Sequence, residues 1–179
     1  MPTAIAIAGI SSTLALLIAR SLLQRPDVHI RGSSRNMNKI PDDLKSDSCV
    51  SLVQSDLYDT DTLRTLGIPC YIASEYTIGY RRLDPTDLGL KSFTNDIVAY
   101  LKTKPAVKGV HIMIGYFIEA FLDYFDVWHP EANELRYWGT GNEKWDFTSY
   151  QTGVEYVAAM ALDPDASGFF KCSIPSLTL

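Results

Sequence analysis

The chain has 179 residues, 46% of them hydrophobic and 21% charged, an ordinary globular balance that supports one sizeable core and a single domain over residues 1–179. A formal charge of -5 and a pI near 5.1 argue against a phosphate-backbone binder, because nucleic-acid domains concentrate positive charge. Three well-separated cysteines, Cys49, Cys70 and Cys172, suggest neither a disulfide framework nor a paired-cysteine zinc site; they fit a reducing, cytoplasmic setting, and no apolar run reaches the ~20 residues that span a bilayer.

Thr3 to Ala8, with isoleucines at 5 and 7, reads as a buried strand that stops at Gly9. The apolar start lacks a basic leader, and Gly9 to Thr13 interrupts it, which argues against a signal peptide. Ser11, Ser12 and Thr13 offer hydroxyl caps to a helix from Leu14 to Gln24 that is apolar nearly all round. Strand, tight turn and buried helix open a doubly wound sheet, with the free N–H groups of the helix directed at a phosphate. The glycine-rich spacing of a dinucleotide turn is met only at Gly9, with Ser12 and Ala15 at the later positions, so an ordinary α/β turn is an equal reading.

Arg25-Pro26-Asp27 is a turn, and Val28 to Ile30 begins a second strand running toward Arg35. At that strand's end an acid favours NAD and an arginine the 2′-phosphate of NADP, so Arg35, followed by Lys39, favours NADP; the alternative is a solvated turn residue. Cys49 to Val53 reads as a third strand. Asp56 follows it, either facing an adenine edge or capping the helix that starts near Asp59. From Leu66 the chain passes through Gly67-Ile-Pro69 straight into another strand, Cys70 to Ser74. That leaves no room for the fourth strand and crossover helix of a doubly wound sheet, because such a crossover needs at least a dozen residues.

A loop rich in Gly, Asp and Pro reaches Gly89, and Lys91 to Lys104 is an amphipathic helix with Phe93, Ile97, Val98 and Leu101 on its apolar stripe. Gly109 to Gly115 reads as a buried strand, followed by the aromatic run Tyr116 to Phe121, which suits either an apolar pocket or a core. Leu135 to Trp138 and Trp145 to Phe147 read as a strand pair about the turn Gly139-Thr-Gly141-Asn142. Tyr150 to Leu162 is a last helix and Phe169 to Ile174 a terminal strand. His111 reads as an interior strand residue, and His29 and His129 have no metal-ligand spacing, so no metal is expected.

These stretches, in this order, resemble the NmrA-like branch of the atypical short-chain dehydrogenase/reductases, particularly fungal isoflavone-reductase-like proteins. The likeness rests on Ile5 to Ala15, Val28 to Arg35, Tyr71-Ile-Ala-Ser-Glu-Tyr76, Gly109 to Glu119 and Tyr137-Trp-Gly-Thr-Gly141. It implies an α/β, Rossmann-like, doubly wound and mostly parallel sheet binding NADP(H). Gly9, Ser12 and Ala15 would take the three small-residue positions of the pyrophosphate turn, with Ser11 and Thr13 beside them. Arg35 would hold the 2′-phosphate, and Asp56 and Ser74 would be further cofactor contacts. Lys91 matches the lysine that assists proton transfer to substrate, with Tyr76 and Tyr80 as acid partners.

The chain departs from the pattern at several points. Ser12 replaces a glycine, residue 87, four before Lys91, is Asp rather than Tyr, the unit between Leu66 and Gly67 is missing, and the chain ends soon after Ser173. The expectation is a shortened member lacking most of the substrate region. It would be an NADP-dependent reductase of a small carbonyl or aromatic metabolite or, in the alternative, a dinucleotide-sensing regulator acting through a protein partner, or an inactive relative.

Overall fold

Strand β1 (Thr3–Ala8), helix α1 (Thr13–Leu22) and strand β2 (Val28–Ser34) form a parallel strand-helix-strand unit in a computed structural model that describes residues 3–55, 69–77, 92–137 and 139–173. Helix α1 buries Ala15, Ile18, Ala19 and Leu22, the i, i+3, i+4, i+7 stripe of one helical face, and Ser12 caps its start. Strand β2 alternates: Val28, Ile30, Gly32 and Ser34 are buried while His29 and Arg31 are exposed. After a 3₁₀ turn at Met37–Lys39 and the single turn α2 (Asp42–Lys45), strand β3 (Val50–Gln54) pairs with β2 in parallel, Ile30 opposite Val50 and Ser34 opposite Gln54. Arg20 ties α1 to α2 through Asp43 at 3.0 Å, and its guanidinium holds that carboxyl below the usual carboxylate range.

The chain divides into two compact units. The first comprises Met1–Gly67 and Val154–Pro164; the second comprises Ile68–Gly153 and Asp165–Leu179. The first contains the parallel sheet β1-β2-β3. Its strand β1 is not the buried strand that two isoleucines suggest, because Ala4, Ala6 and Ala8 are exposed and Ile5 and Ile7 only half-buried. Among the described residues β1 is an edge strand paired only with β2. The alternation along it puts Ile5 and Ile7 on the better-covered face and the three alanines on the other.

The second unit holds β4 (Cys70–Thr77), α3 (Ser92–Lys102), β5 (Lys108–Met113), β6 (Tyr116–Phe117), α4 (Ile118–Tyr124), β7 (Trp128–His129), β8 (Glu134–Leu135) and β9 (Phe147–Thr148). Helix α5 (Tyr150–Leu162) runs across the boundary between units in the sequence, and β10 (Gly168–Lys171) completes a parallel sheet of order β10-β5-β4. Val110, His111 and Ile112 of β5 are buried, as expected of a central strand.

Of the strand pair expected on either side of Gly139 to Asn142, Trp138 lies outside the described residues, and Leu135 and Phe147 pair with other strands. Leu135 pairs antiparallel with Trp128, and Phe147 pairs in parallel with Tyr116. The Glu143 carboxylate accepts the N–H groups of Thr140 at 2.9 Å and Gly141 at 3.0 Å, closing the loop on itself. Phe147 joins Phe121 and Val127 in a core packed by Tyr116 and Trp145, which draws β9 to β6. The aromatic run therefore serves first as core.

Candidate functional site

The turn after β1 is shaped by Gly9, whose φ of +70 falls in the left-handed region that favours glycine. A Cβ built there would meet no heavy atom within 4 Å, so the backbone lies open on the side a ligand would approach. Ser12 N–H donates to Gly9 O at 3.1 Å, and Ile10 N–H donates to Ser33 O at 3.0 Å, which clamps the turn to the end of β2. Ile10 is fully buried and packs against Gly32, where an added Cβ would come 2.6 Å from Ile10 Cδ1. A glycine in β2 thus lets the turn sit close to its neighbouring strand.

Ser12 is the N-cap of α1, with extended backbone and Oγ accepting Ala15 N–H at 3.4 Å. Helix α1 has no acidic residue in its first turn, and exposed Thr13 begins it, so its N-terminal N–H groups retain their positive end for an anion. Ser11, half-buried, meets the buried Ser34 hydroxyl at 2.9 Å. Ser34 Oγ also accepts Asn36 N–H at 3.2 Å. The single Ser34 proton has two acceptors in reach, Ser11 Oγ at 2.9 Å and Asn36 O at 3.2 Å; when it goes to Ser11, the Ser11 proton is left for a ligand oxygen.

Arg35 follows directly. It is exposed, and no described residue pairs with its guanidinium. Its carbonyl accepts from Gln54 Nε2 at 3.2 Å, and Asn36 Oδ1 caps the next turn by accepting Asn38 N–H at 3.0 Å. The residue is held by its backbone on both sides while its side chain stays available. Gly9, Ser11, Ser12, Thr13 and Arg35 therefore gather at the carboxyl ends of β1 and β2 and the start of α1, the place where α/β sheets receive ligands. Ser34, Asn36 and Gln54 support them and went unnoticed in the sequence; the inward register of Ser34 in an alternating strand was the one available signal.

Ser74 lies in the second unit, exposed within β4. Burial, with Tyr71 adding to it, pushes the phenol of Tyr76 up to about 12, so it stays protonated at neutral pH and suits a donor rather than a base. Lys91, Asp56 and Tyr80 lie outside the described residues. The second unit also has a pocket of about 140 Å³ lined by Phe121, Phe125, Val127, Tyr137 and Trp145 with Asp126 and Arg136, space for no more than a single ring.

Among the described residues no His, Cys, Asp or Glu cluster is arranged to hold a metal, and no helix is long and apolar enough to cross a membrane.

No protein-family model matches the sequence, and no curated protein matches it. The fold, in contrast, is similar to solved structures. An isoflavone reductase superposes with a TM-score of 0.74 at 14% identity, over 99% of this chain and 72% of that one. AtPrR2, solved with NADP+ and (+)-pinoresinol, gives 0.64 at 13% over 99% and 72%. A UDP-glucuronic acid 4-epimerase from Bacillus cereus, solved with UDP-glucuronic acid and NAD, gives 0.62 at 13% over 98% and 79%. The chain has the Rossmann-type α/β fold of these proteins.

Proposed function

We propose that the chain binds NADP(H) through its first unit and is an oxidoreductase that reduces a small carbonyl or aromatic metabolite. The observation that carries the reading is the left-handed, open Gly9 before α1 with the Ser11–Ser34 hydroxyl pair and, just past the adjoining strand, exposed Arg35, which no described residue pairs with. In this reading the N–H groups of Ser11 and Thr13 receive the diphosphate, and Arg35 pairs with the 2′-phosphate. Ser12 adds a Cβ where many dinucleotide turns have glycine; its N–H is taken by Gly9 O and its Oγ accepts Ala15 N–H, so its hydroxyl proton is the donor it has left for a phosphate oxygen. The nicotinamide would supply the hydride. Lys91, and Ser74 in the second unit, keep the roles that the resemblance implies, proton transfer and a cofactor contact.

Support from solved structures is for the fold, and of those structures one was solved with NADP+ and another with NAD; the preference for NADP rests on Arg35. Fluorescence titration tests it: NADPH should bind at least about tenfold more tightly than NADH, and Arg35→Ala should erase the difference, since a lost charge-assisted phosphate contact is worth on the order of one decade or more. Equal affinities in the unmutated protein refute the assignment. Lys91→Ala should abolish reduction of an accepted substrate while leaving NADPH affinity nearly unchanged; binding without turnover in the unmutated protein would instead mark a dinucleotide sensor.

A further inference from the structure

Between Ala73 and Thr77 strand β4 takes four steps where β5 takes two, from His111 to Met113. The extra residues make a bulge at the carboxyl end of a parallel sheet, a position where bulges re-aim side chains and where α/β folds place ligands. Tyr76 within it has φ +25, a backbone state that an aromatic residue keeps only with support from its surroundings.

The support next to it is polar and buried. His111 Nδ1 lies 2.9 Å from Glu75 Oε1, and the two side chains are 4% and 1% exposed. On its other side the imidazole stacks on Phe169, ring centroids 4.5 Å apart and planes 14° from parallel. Phe169, His111 and Ala73 are register partners across β10, β5 and β4, so they form one row on one face of the sheet. Glu75, two residues beyond Ala73, reaches back to the middle of that row, and the small side chain of fully buried Ala73 leaves it room.

An apolar pair of the same shape would fill this space with equal or greater stability, so filling the core does not explain a buried carboxylate and imidazole. We propose that Glu75 and His111 are positioning residues that fix the β4 bulge and so set the direction in which Ser74 and Tyr76 leave the strand. With Glu75 drawn inward, its neighbour Ser74 is turned out to solvent. That the ligand served is the dinucleotide rests on the function proposed above; the positioning itself does not.

The test uses the full chain and compares unmutated protein, Glu75→Gln, Glu75→Ala and the double variant Glu75→Leu/His111→Phe. It reads hydrogen exchange at the amides of residues 74–77, denaturant midpoint and NADPH affinity. Glu75→Gln keeps an acceptor for the imidazole and should stay within about twofold of the unmutated protein in exchange and affinity. The double variant keeps the stack on Phe169 and should retain the denaturant midpoint, yet exchange at least about tenfold faster at 74–77 and bind NADPH about tenfold more weakly. Unchanged exchange and affinity in the double variant would overturn the proposal. Should that variant fail to fold, Glu75→Ala decides: faster exchange confined to 74–77 supports positioning, and a uniform rise through β5 overturns it. Absence of NADPH binding by the unmutated protein sinks the dinucleotide reading alone, because the exchange comparison still reports on the bulge.

Discussion

Gly32 shows how a single missing side chain supports a site two strands wide. An alanine there would drive its methyl to 2.6 Å from Ile10 Cδ1 and 2.9 Å from Leu52 Cδ2, and Ile10 is fully buried. Gly32→Ala should therefore cost about 1–3 kcal/mol, the usual range for overpacking, read as a lower urea midpoint. Because Ile10 adjoins Gly9, NADPH affinity should fall with it. Ser34 makes the complementary case, a polar group turned inward. Ser34→Ala removes the hydroxyl that meets Ser11 and the acceptor for Asn36 N–H, and should destabilise by about 1 kcal/mol while loosening the turn that carries Arg35. An unchanged urea midpoint and unchanged NADPH affinity would show that Ser34 supports neither.

At the scale of elements, the loop from Gly139 to Glu143 lies between segments of which Leu135 pairs with Trp128 and Phe147 with Tyr116. Gly139 and Gly141 both have positive φ, which suits a glycine-rich hairpin turn, and the flanking aromatics alternate as strands do. A carboxylate four residues on from Gly139 accepts the turn's N–H groups, and the core holds Phe147. Thr140 and Gly141 N–H, together with the Thr140 hydroxyl, hold the Glu143 carboxyl below its ordinary value. A group whose folded value is depressed contributes order that is present above its unfolded value and lost as pH falls through the folded one. Amide shifts of Thr140 and Gly141 should thus move together in an NMR titration, with a midpoint below that of an ordinary glutamate. Glu143→Gln should remove the titration and leave the fold intact.

For the whole molecule, a ligand that binds only the folded state stabilises it by mass action, about 2.7 kcal/mol at a hundredfold excess over Kd. For a chain of this size that corresponds to a Tm rise of about 5–10 °C with NADPH, and a smaller one with NADH at the same concentration. A flat response to NADPH in differential scanning fluorimetry would mean that the open turn at Gly9 is only a turn.

Local rules made much of this chain legible. The helix of α1, the break at Gly9, the start of β2 and the apolar run of β5 each depend on neighbours in sequence, and each was readable there. So was the place of Arg35, because strand length and turn fix where a strand ends. What only the tertiary structure decided was partnership. Which strand receives Phe147, that β1 pairs only with β2 among the described residues, that Ser34 backs Ser11 and that Glu75 finds His111 across 36 residues are all settled by long-range packing. Hydrophobic burial has no direction along the chain, and a buried polar group takes whichever partner the packed core brings within reach.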